Sequence, residues 1–176
     1  MRIGYLQGGS RTEIQSVLWG VAQELIASGH RLAGMVEHNE APVFHDKRDS
    51  RLRDVASTAS CCLFQDLGRN SQACSLDPSA IAQACGLIEA AIEPDLDLVI
   101  LSKFGKVEAE GGGFRMAIGK AMLLDISILT SVNPLFEASW QEFTCGMATR
   151  LPIDRAHVMA WWGDRAGTPA ALTLDA

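Results

Sequence analysis

The sequence reads Leu98-Val99-Ile100-Leu101-Ser102-Lys103-Phe104-Gly105-Lys106 at the place around which the rest of the chain is arranged. Four consecutive apolar residues are too few for a buried helix, but they are enough for a strand that is covered on both faces. This pattern is typical of a central strand in a parallel sheet. The polar residues and the glycine that follow therefore lie at its carboxyl end, where open α/β sheets bind their ligands.

A strand, a glycine turn, a helix and a second strand open the chain. Residues 2–6 are predicted to be a strand, and Gln7-Gly8-Gly9 is predicted to be a turn. Ser10-Arg11-Thr12-Glu13 fits a capping box, and apolar residues then recur at helical spacing as far as Leu25. Residues 31–37 supply the next strand. This βαβ unit indicates the beginning of a doubly wound sheet.

The same alternation continues to the end of the chain. Residues 51–56 and 60–65 are predicted to pair as a hairpin, and Asp77-Pro78 is predicted to begin a helix that runs to about Ile92. The remaining predictions are a helix over 114–124, a strand over 126–132, a short helix around Trp140 and a final edge strand over 157–162. The sequence thus predicts an α/β fold with a three-layer parallel sheet, in a single domain spanning residues 1–176.

Composition excludes several classes of partner. The chain carries a net charge of −6 and has no stripe of basic residues interleaved with aromatic ones, so we expect no nucleic-acid partner. No apolar run reaches the roughly 18 to 20 residues that cross a bilayer, and Met1-Arg2 leads into a strand rather than a secretory signal. We therefore expect a cytoplasmic protein with no membrane partner. Its apolar composition is compatible with a homodimer.

The cysteines and histidines do not form a recognisable metal motif. Five cysteines occur without C-x-x-C spacing, and their odd number in a chain without a signal sequence favours reduced thiols. The polar segment 38–49 contains two histidines and several acidic residues, but their irregular spacing favours a solvated loop. The sequence by itself predicts no metal site.

The turn after the first strand partly matches a phosphate-binding loop. Gly4 and Gly9 have the glycine spacing of the motif G-x-x-x-x-G-K-[ST], in which backbone amides and a lysine hold the phosphates. In this chain Ser10 and Arg11 follow Gly9, so the lysine is absent. The Glu13 carboxylate would compete with a bound anion for the positive amino-terminal end of the helix. The positive charge of Arg11 would offset the charge of Glu13. The alternatives are a plain βα turn and a site for an oxyanion or single phosphate, with Gly8, Gly9, Ser10 and Arg11 as its candidate residues.

The segment after the central strand is rich in charge and glycine. Hydrolytic enzymes with a phosphate-binding loop place an acidic residue for magnesium and a glutamate for water there, but this chain has Ser102 and Lys103. Glu108 and Glu110 are candidates for acting on a metal or a proton, and the alternative is a solvated loop face. The helix start after the triple glycine is either a mobile loop or a second anion site. Its candidate residues are Lys103, Lys106, Gly112, Gly113 and Arg115.

Residues 98–115, together with Asp66-Leu67-Gly68 and Cys74-Ser75-Leu76-Asp77-Pro78, resemble an uncharacterised bacterial family of unknown function that is often encoded near molybdate-uptake genes. The chain is also distantly similar to thermophile-type P-loop nucleoside-triphosphatases. The resemblance implies a P-loop NTPase-like scaffold with a degenerate phosphate loop. It also implies that Asp66 and Cys74 face the same cleft, where they become candidate metal ligands.

These observations favour a non-hydrolytic protein whose partner is a small anionic ligand. That ligand is a nucleotide, phosphate or a tetrahedral oxyanion, and the implied cofactor is either magnesium with a nucleotide or molybdate. One alternative is a weak nucleoside-triphosphatase in which Arg11 replaces the missing lysine. The other is a protein-interaction module with an empty site, whose interface residues are Trp140, Trp161 and Trp162. Exposure of the last two would favour this module.

Overall fold

The computed structural model describes residues 1–37, 51–62 and 77–164. These residues form an α/β fold with one mostly parallel sheet. Its strands are β1 (Ile3–Leu6), β2 (Leu32–Glu37), β3 (Arg51–Asp54), β4 (Ser60–Cys62), β5 (Leu98–Leu101), β6 (Ser127–Ser131) and β7 (Ala148–Leu151). The helices are α1 (Arg11–Ala27), α2 (Pro78–Ala91), α3 (Lys106–Ala109), α4 (Arg115–Leu123), α5 (Glu137–Phe143) and α6 (Arg155–Gly163), and a 3-10 turn covers Pro134–Phe136.

The sheet has the strand order β4-β3-β2-β5-β6-β1-β7. Strands β2, β5, β6, β1 and β7 run parallel, whereas β3 pairs antiparallel with β2 and β4 pairs antiparallel with β3. The prediction of a central buried strand is confirmed, because all four residues of β5 are fully buried between β2 and β6. The hairpin prediction is also confirmed as far as Cys62, the last described residue of β4.

Helices cover both faces of the sheet. Leu98 and Ile100 pack with α1 and α6, whereas Val99 and Leu101 pack with α2, α4 and α5. The alternation follows from the strand period of two, which sends successive side chains to opposite faces. The central run of sequence 98–101 is apolar throughout because both of its faces are covered.

Helix α1 begins as the sequence predicts. The Ser10 hydroxyl accepts a hydrogen bond from the Glu13 amide at 3.2 Å, which satisfies one of the unpaired amides of the first turn. Apolar residues at helical spacing, among them Leu18 and Leu25, are buried against the sheet. In the described ranges 1–37, 51–62 and 77–164, the helices are too short or too polar to cross a membrane.

The prediction of a final edge strand over 157–162 is wrong. This segment lies in α6, which Asp154 caps by accepting a hydrogen bond from the His157 amide at 3.0 Å. Val158, Trp161 and Trp162 share one face of the helix and pack beneath α1, a pattern that a short apolar run does not distinguish from a strand. The edge strand is instead β7, which pairs in parallel with β1.

Candidate functional site

The chain leaves two neighbouring strands toward opposite faces of the sheet. β1 and β6 pair in parallel, and β1 leads into α1 on one face while β6 leads into α5 on the other. Such a switch point opens a crevice beyond the carboxyl ends of the two strands, which is where open α/β sheets bind ligands. Gln7 and Gly8 follow β1 at this edge, and Val132 and Asn133 follow β6.

Hydrogen bonds from buried polar side chains connect helix α1 to this edge of the sheet. The side-chain amide of Gln15 donates to the Ser102 carbonyl at 2.9 Å, and its oxygen accepts from the Glu37 amide at 3.0 Å. The Ser131 hydroxyl also donates to the Ser102 carbonyl, at 2.7 Å. Helix α1 is thereby tied to the ends of β2, β5 and β6. The arrangement gives the surrounding side chains a rigid support.

A cavity of about 470 Å³ lies at the carboxyl ends of β2 and β5. This volume is within the range of small-molecule sites. Four of the residues singled out from the sequence line it, namely Lys103, Lys106, Glu108 and Glu110. We call it the main cavity. The other lining residues are Glu37, Leu52, Ile81, Ser102, Gly105, Val107, Phe114, Asn133 and Phe136.

Glu37 joins two of the predicted cations. Its carboxylate is 7% exposed and forms an ion pair with the Arg11 guanidinium, and its Oε1 atom lies 3.9 Å from the Lys103 ammonium. Arg11 and Lys103 belong to separate sequence motifs, and the structure brings both to one carboxylate. The sequence analysis did not select Glu37. The sequence feature that could have identified Glu37 is an acidic residue at the carboxyl end of an otherwise apolar strand.

Glu108 connects the two ends of the segment that links β5 to α4. Its carboxylate is buried and accepts hydrogen bonds from the amides of Gly105 at 2.9 Å and Phe114 at 3.2 Å. The Phe114 amide, at the helix start that follows the triple glycine, is therefore paired with a carboxylate of the chain itself. Glu110 differs from Glu108 because its side chain is exposed. Its Oε1 atom lies 3.7 Å from the Lys106 Nζ atom.

Arg115 points away from the main cavity. Its guanidinium donates to the Glu108 carbonyl at 3.2 Å and lies 4.0 Å from the centre of the Phe143 ring. It lines a separate cavity of about 380 Å³ together with Ser139 and Glu142. Gly112 and Gly113 also lie outside the lining of the main cavity. The structure therefore places Lys103 and Lys106 at the main cavity and brings Lys103 and Arg11 to Glu37, whereas Arg115, Gly112 and Gly113 lie outside this cavity.

The glycine turn after β1 is closely packed. Gly8 has φ +99°, a left-handed conformation that favours glycine. At Gly9, a Cβ atom would lie 2.9 Å from a Glu13 carboxylate oxygen, so that carboxylate already lies against the turn. The Ser10 hydroxyl caps α1. Of the four predicted residues, Gly8 lines a second cavity, whereas Arg11 extends toward the main cavity through Glu37.

One residue at this second cavity has a buried side-chain donor with no acceptor in the described part of the chain. The cavity has a volume of about 470 Å³ and is lined by Gln7, Gly8, Arg150, Leu151, Pro152 and Ile153. Gln7 is 6% exposed, and its Nε2 atom has no hydrogen-bond partner in the described part of the chain. The Arg150 guanidinium donates to the Gln7 carbonyl at 3.4 Å. Sequence analysis missed both side chains because neither belongs to a motif.

Tyr5 lies in β1, two residues before Gln7 in the sequence. Its hydroxyl donates to the Glu137 carboxylate at 2.9 Å and accepts a hydrogen bond from Gln141 at 3.1 Å. Burial first, and then the Glu137 carboxylate, raise the pKa of Tyr5 above its ordinary value of 10.0. The phenol therefore stays neutral at physiological pH and fixes the start of α5 beside the crevice.

The described residues provide no cluster of three histidine, cysteine or acidic side chains arranged to hold a metal ion. The candidate metal ligands Asp66 and Cys74 lie outside the described residues. Cys85 is buried, whereas Cys62 and Cys145 are exposed, and none of the three forms a disulfide. Burial first, and then the charge of Glu108, raise the pKa of the Cys85 thiol to about 11.

The tryptophans on which the interaction-module alternative depends belong to the core. Trp140 is 0% exposed, Trp161 is 7% exposed and Trp162 is 6% exposed. Trp140 packs against Tyr5, Phe104 and Phe143. Buried side chains of this kind do not form a docking surface, so that alternative loses the residues on which it was based.

Comparison with known proteins places this fold in a family. A family model described as "Protein of unknown function (DUF2478)" matches residues 3–161. The chain belongs to the DUF2478 family. This DUF2478 chain is also 32% identical over 163 residues to the Molybdenum import ATP-binding protein ModC 2 of Bradyrhizobium diazoefficiens. The match covers 93% of the chain but only 18% of ModC 2. No solved structure matches the chain.

Proposed function

We propose that this DUF2478 protein binds a nucleotide, phosphate or tetrahedral oxyanion at the carboxyl edge of its sheet and does not hydrolyse it. The observation that carries the proposal is the buried Nε2 atom of Gln7, which has no acceptor among the described residues. An unpaired buried donor costs about 1–3 kcal/mol. An oxyanion that enters the cavity beside Gly8 and Arg150 supplies an acceptor once the Gln7 side chain rotates toward it.

Arg11 and Lys103 support the same proposal from the other side of the glycine turn. Both cations lie at the Glu37 carboxylate, and the side chain of Lys103 is more than half exposed. A ligand oxyanion would compete with Glu37 for these two groups. Charge-assisted hydrogen bonds to arginine are among the strongest available to an oxyanion. The amino-terminal end of α1 adds a favourable dipole, which Glu13 partly offsets.

Three features argue against hydrolysis. No lysine follows Gly9, and an arginine does not reproduce the point contact that a lysine makes with a phosphate. The residue after β5 is Ser102, whose carbonyl is occupied by Gln15 and Ser131. Glu108, one of the two glutamates that are candidates for acting on a metal or a proton, has both carboxylate oxygens hydrogen bonded to backbone amides. The triphosphatase alternative therefore finds no further support in these residues.

A role in molybdenum handling is part of the proposal. Its support is the similarity to ModC 2, whose name describes a molybdenum import protein that binds ATP. Molybdate is a tetrahedral oxyanion of the kind that the crevice is proposed to bind. ATP is a nucleotide and belongs to the other proposed ligand class. The test therefore compares nucleotides with oxyanions.

Thermal unfolding of the full chain tests the proposal. The ligands are ATP, GTP, phosphate, molybdate and tungstate, each with and without magnesium. A ligand at about 100 times its dissociation constant stabilises the folded state by roughly 2.7 kcal/mol, which raises the Tm by roughly 5–10 °C for a chain of this size. Arg150→Ala should lose at least half of the shift. Arg31→Ala removes the same charge at the amino end of β2, where Arg31 pairs with Asp95, and should keep the shift.

Two results would contradict the proposal. One is a Tm that moves by less than about 1 °C with every ligand. The other is an equal loss of the shift in Arg150→Ala and Arg31→Ala, which would mean that net charge alone is responsible. Magnesium-dependent release of phosphate from ATP or GTP by the wild type would instead support the triphosphatase.

A further inference from the structure

The main cavity separates its charges by depth. Glu37 and Glu108 are buried, with 7% and 6% exposure, whereas the side chains of Lys103 and Lys106 are 55% and 71% exposed. Glu37 and Glu108 therefore lie inside the cavity, whereas the two ammonium groups and the exposed Glu110 carboxylate lie at its opening. An anion placed deep in this cavity would meet two carboxylates away from bulk water, where like charges repel strongly. The interior suits an uncharged group, and the opening suits an anionic one.

The walls of the main cavity are largely apolar. Leu52 of β3, Ile81 of α2 and Phe136 of the 3-10 turn line it, together with Val107 and Phe114. An inorganic oxyanion gains nothing from such walls, because burying its charge against hydrocarbon is unfavourable. A flat heterocyclic body removes apolar surface from water when it enters. The walls therefore favour an organic ligand over phosphate or molybdate alone.

The interior also offers an acceptor for a ligand at Glu37. The Oε2 atom of Glu37 is paired with Arg11, and in the described part of the chain the cation near Oε1 is the Lys103 ammonium, at 3.9 Å, which exceeds hydrogen-bond distance. Among the described residues, Oε1 accepts no hydrogen bond. A carboxylate at the carboxyl end of a parallel strand is well suited to accept hydrogen bonds from sugar hydroxyls.

We infer that the main cavity holds the base and ribose of a nucleotide. The base lies between Ile81 and Phe136, the ribose hydroxyls donate to Glu37, and the phosphates extend toward Lys103 and Arg11. This inference rests on the proposed function and selects nucleotides from its three ligand classes. It also gives the two cations at Glu37 a shared role, since both face the phosphates of one ligand.

Isothermal titration of the full chain with ADP, GDP, CDP, UDP and pyrophosphate tests this inference. The tightest nucleoside diphosphate should bind at least tenfold more tightly than pyrophosphate. Phe136→Ala should reduce that advantage to less than about threefold and leave pyrophosphate binding unchanged. Leu135→Ala is the matched control, because Leu135 is 84% exposed and lies outside the cavity lining. It should change neither affinity.

Glu37→Gln tests the ribose contact. The wild type should bind the preferred nucleotide at least tenfold more tightly than its 2′,3′-dideoxy analogue, as expected for hydrogen bonds to a charged acceptor. In Glu37→Gln this ratio should fall below about threefold, while pyrophosphate binding is retained or strengthened because a competing carboxylate has been removed. Circular dichroism at the titration temperature establishes that each variant is folded.

The outcomes separate this inference from the proposed function. If pyrophosphate binds as tightly as every nucleotide and Phe136→Ala has no effect, the inference is wrong and the proposed function stands. If none of the nucleotides, pyrophosphate, phosphate or molybdate binds, both are wrong. A ribose preference that persists in Glu37→Gln would also overturn the role assigned to this carboxylate.

Discussion

Replacing Glu108 by glutamine should destabilise the fold, because this side chain pairs with both ends of the segment between β5 and α4. The carboxylate accepts from Gly105 at 2.9 Å and from Phe114 at 3.2 Å, and it is only 6% exposed. Gly113 packs so closely that a Cβ atom there would collide with this carboxylate. Glutamine keeps one acceptor oxygen and turns an NH₂ group toward the other amide.

The magnitude follows from these two hydrogen bonds. One of them is lost, and the facing backbone amide is left buried without a partner, which costs about 1–3 kcal/mol. The remaining bond also weakens, because its acceptor is no longer charged. We therefore expect Glu108→Gln to lower the free energy of unfolding by about 2–3 kcal/mol. For a chain of this length the Tm should fall by roughly 5–10 °C.

Urea and thermal unfolding, followed by circular dichroism, measure this difference. Glu110→Gln is the matched control, because Glu110 is two residues away and two-thirds exposed, and its nearest cation is Lys106 at 3.7 Å. A surface pair of this kind contributes only about 0.3–0.5 kcal/mol. If the two variants unfold within about 0.5 kcal/mol of each other, Glu108 does not hold this segment together. Its carboxylate would then be available for chemistry instead.

Three further predictions concern the scaffold. Gly34→Ala should prevent folding or lower the Tm severely, because a Cβ atom at this position of β2 would overlap the Ile100 carbonyl. A soluble Gly34→Ala variant that unfolds cooperatively near the wild-type Tm would contradict this prediction. Asp77→Ala should lower the free energy of unfolding by about 1 kcal/mol, because Asp77 accepts two hydrogen bonds from the first turn of α2; an unchanged urea midpoint would refute this. At pH 8, maleimide should modify the exposed Cys62 well before the buried Cys85, whose pKa of about 11 leaves very little thiolate. Equal rates of modification at the two cysteines, measured by peptide mass spectrometry, would contradict this prediction.

Local patterns in the sequence were sufficient for much of the scaffold. The apolar run 98–101 predicts a strand that is covered on both faces, because four apolar residues are too few for a buried helix but enough for such a strand. The starts of α1 and α2 followed from Ser10 and Asp77, whose side chains cap their own helices. The prediction failed at α6, because a short apolar run with two adjacent tryptophans fits a strand as well as a buried helix.

The candidate site depends on contacts that local patterns do not encode. Gln7 and Arg150 are 143 residues apart in sequence and meet because β7 pairs with β1. Arg11 and Lys103 meet at Glu37 because β5 lies directly beside β2. The two cations belong to recognisable motifs, whereas Glu37 belongs to none and is brought to them by the strand order.

Local sequence patterns were enough to predict the α/β class, the central strand and the residues that begin α1 and α2. These features depend on side-chain period and on hydrogen bonds within a few residues of the chain. Tertiary packing makes Glu108 an acceptor for two backbone amides, leaves the Gln7 Nε2 atom without an acceptor among the described residues and places Glu37 at a cavity. These features could not be predicted because strand order and burial determine which distant side chains contact one another away from solvent. Strand order is not encoded in the pattern of neighbouring residues.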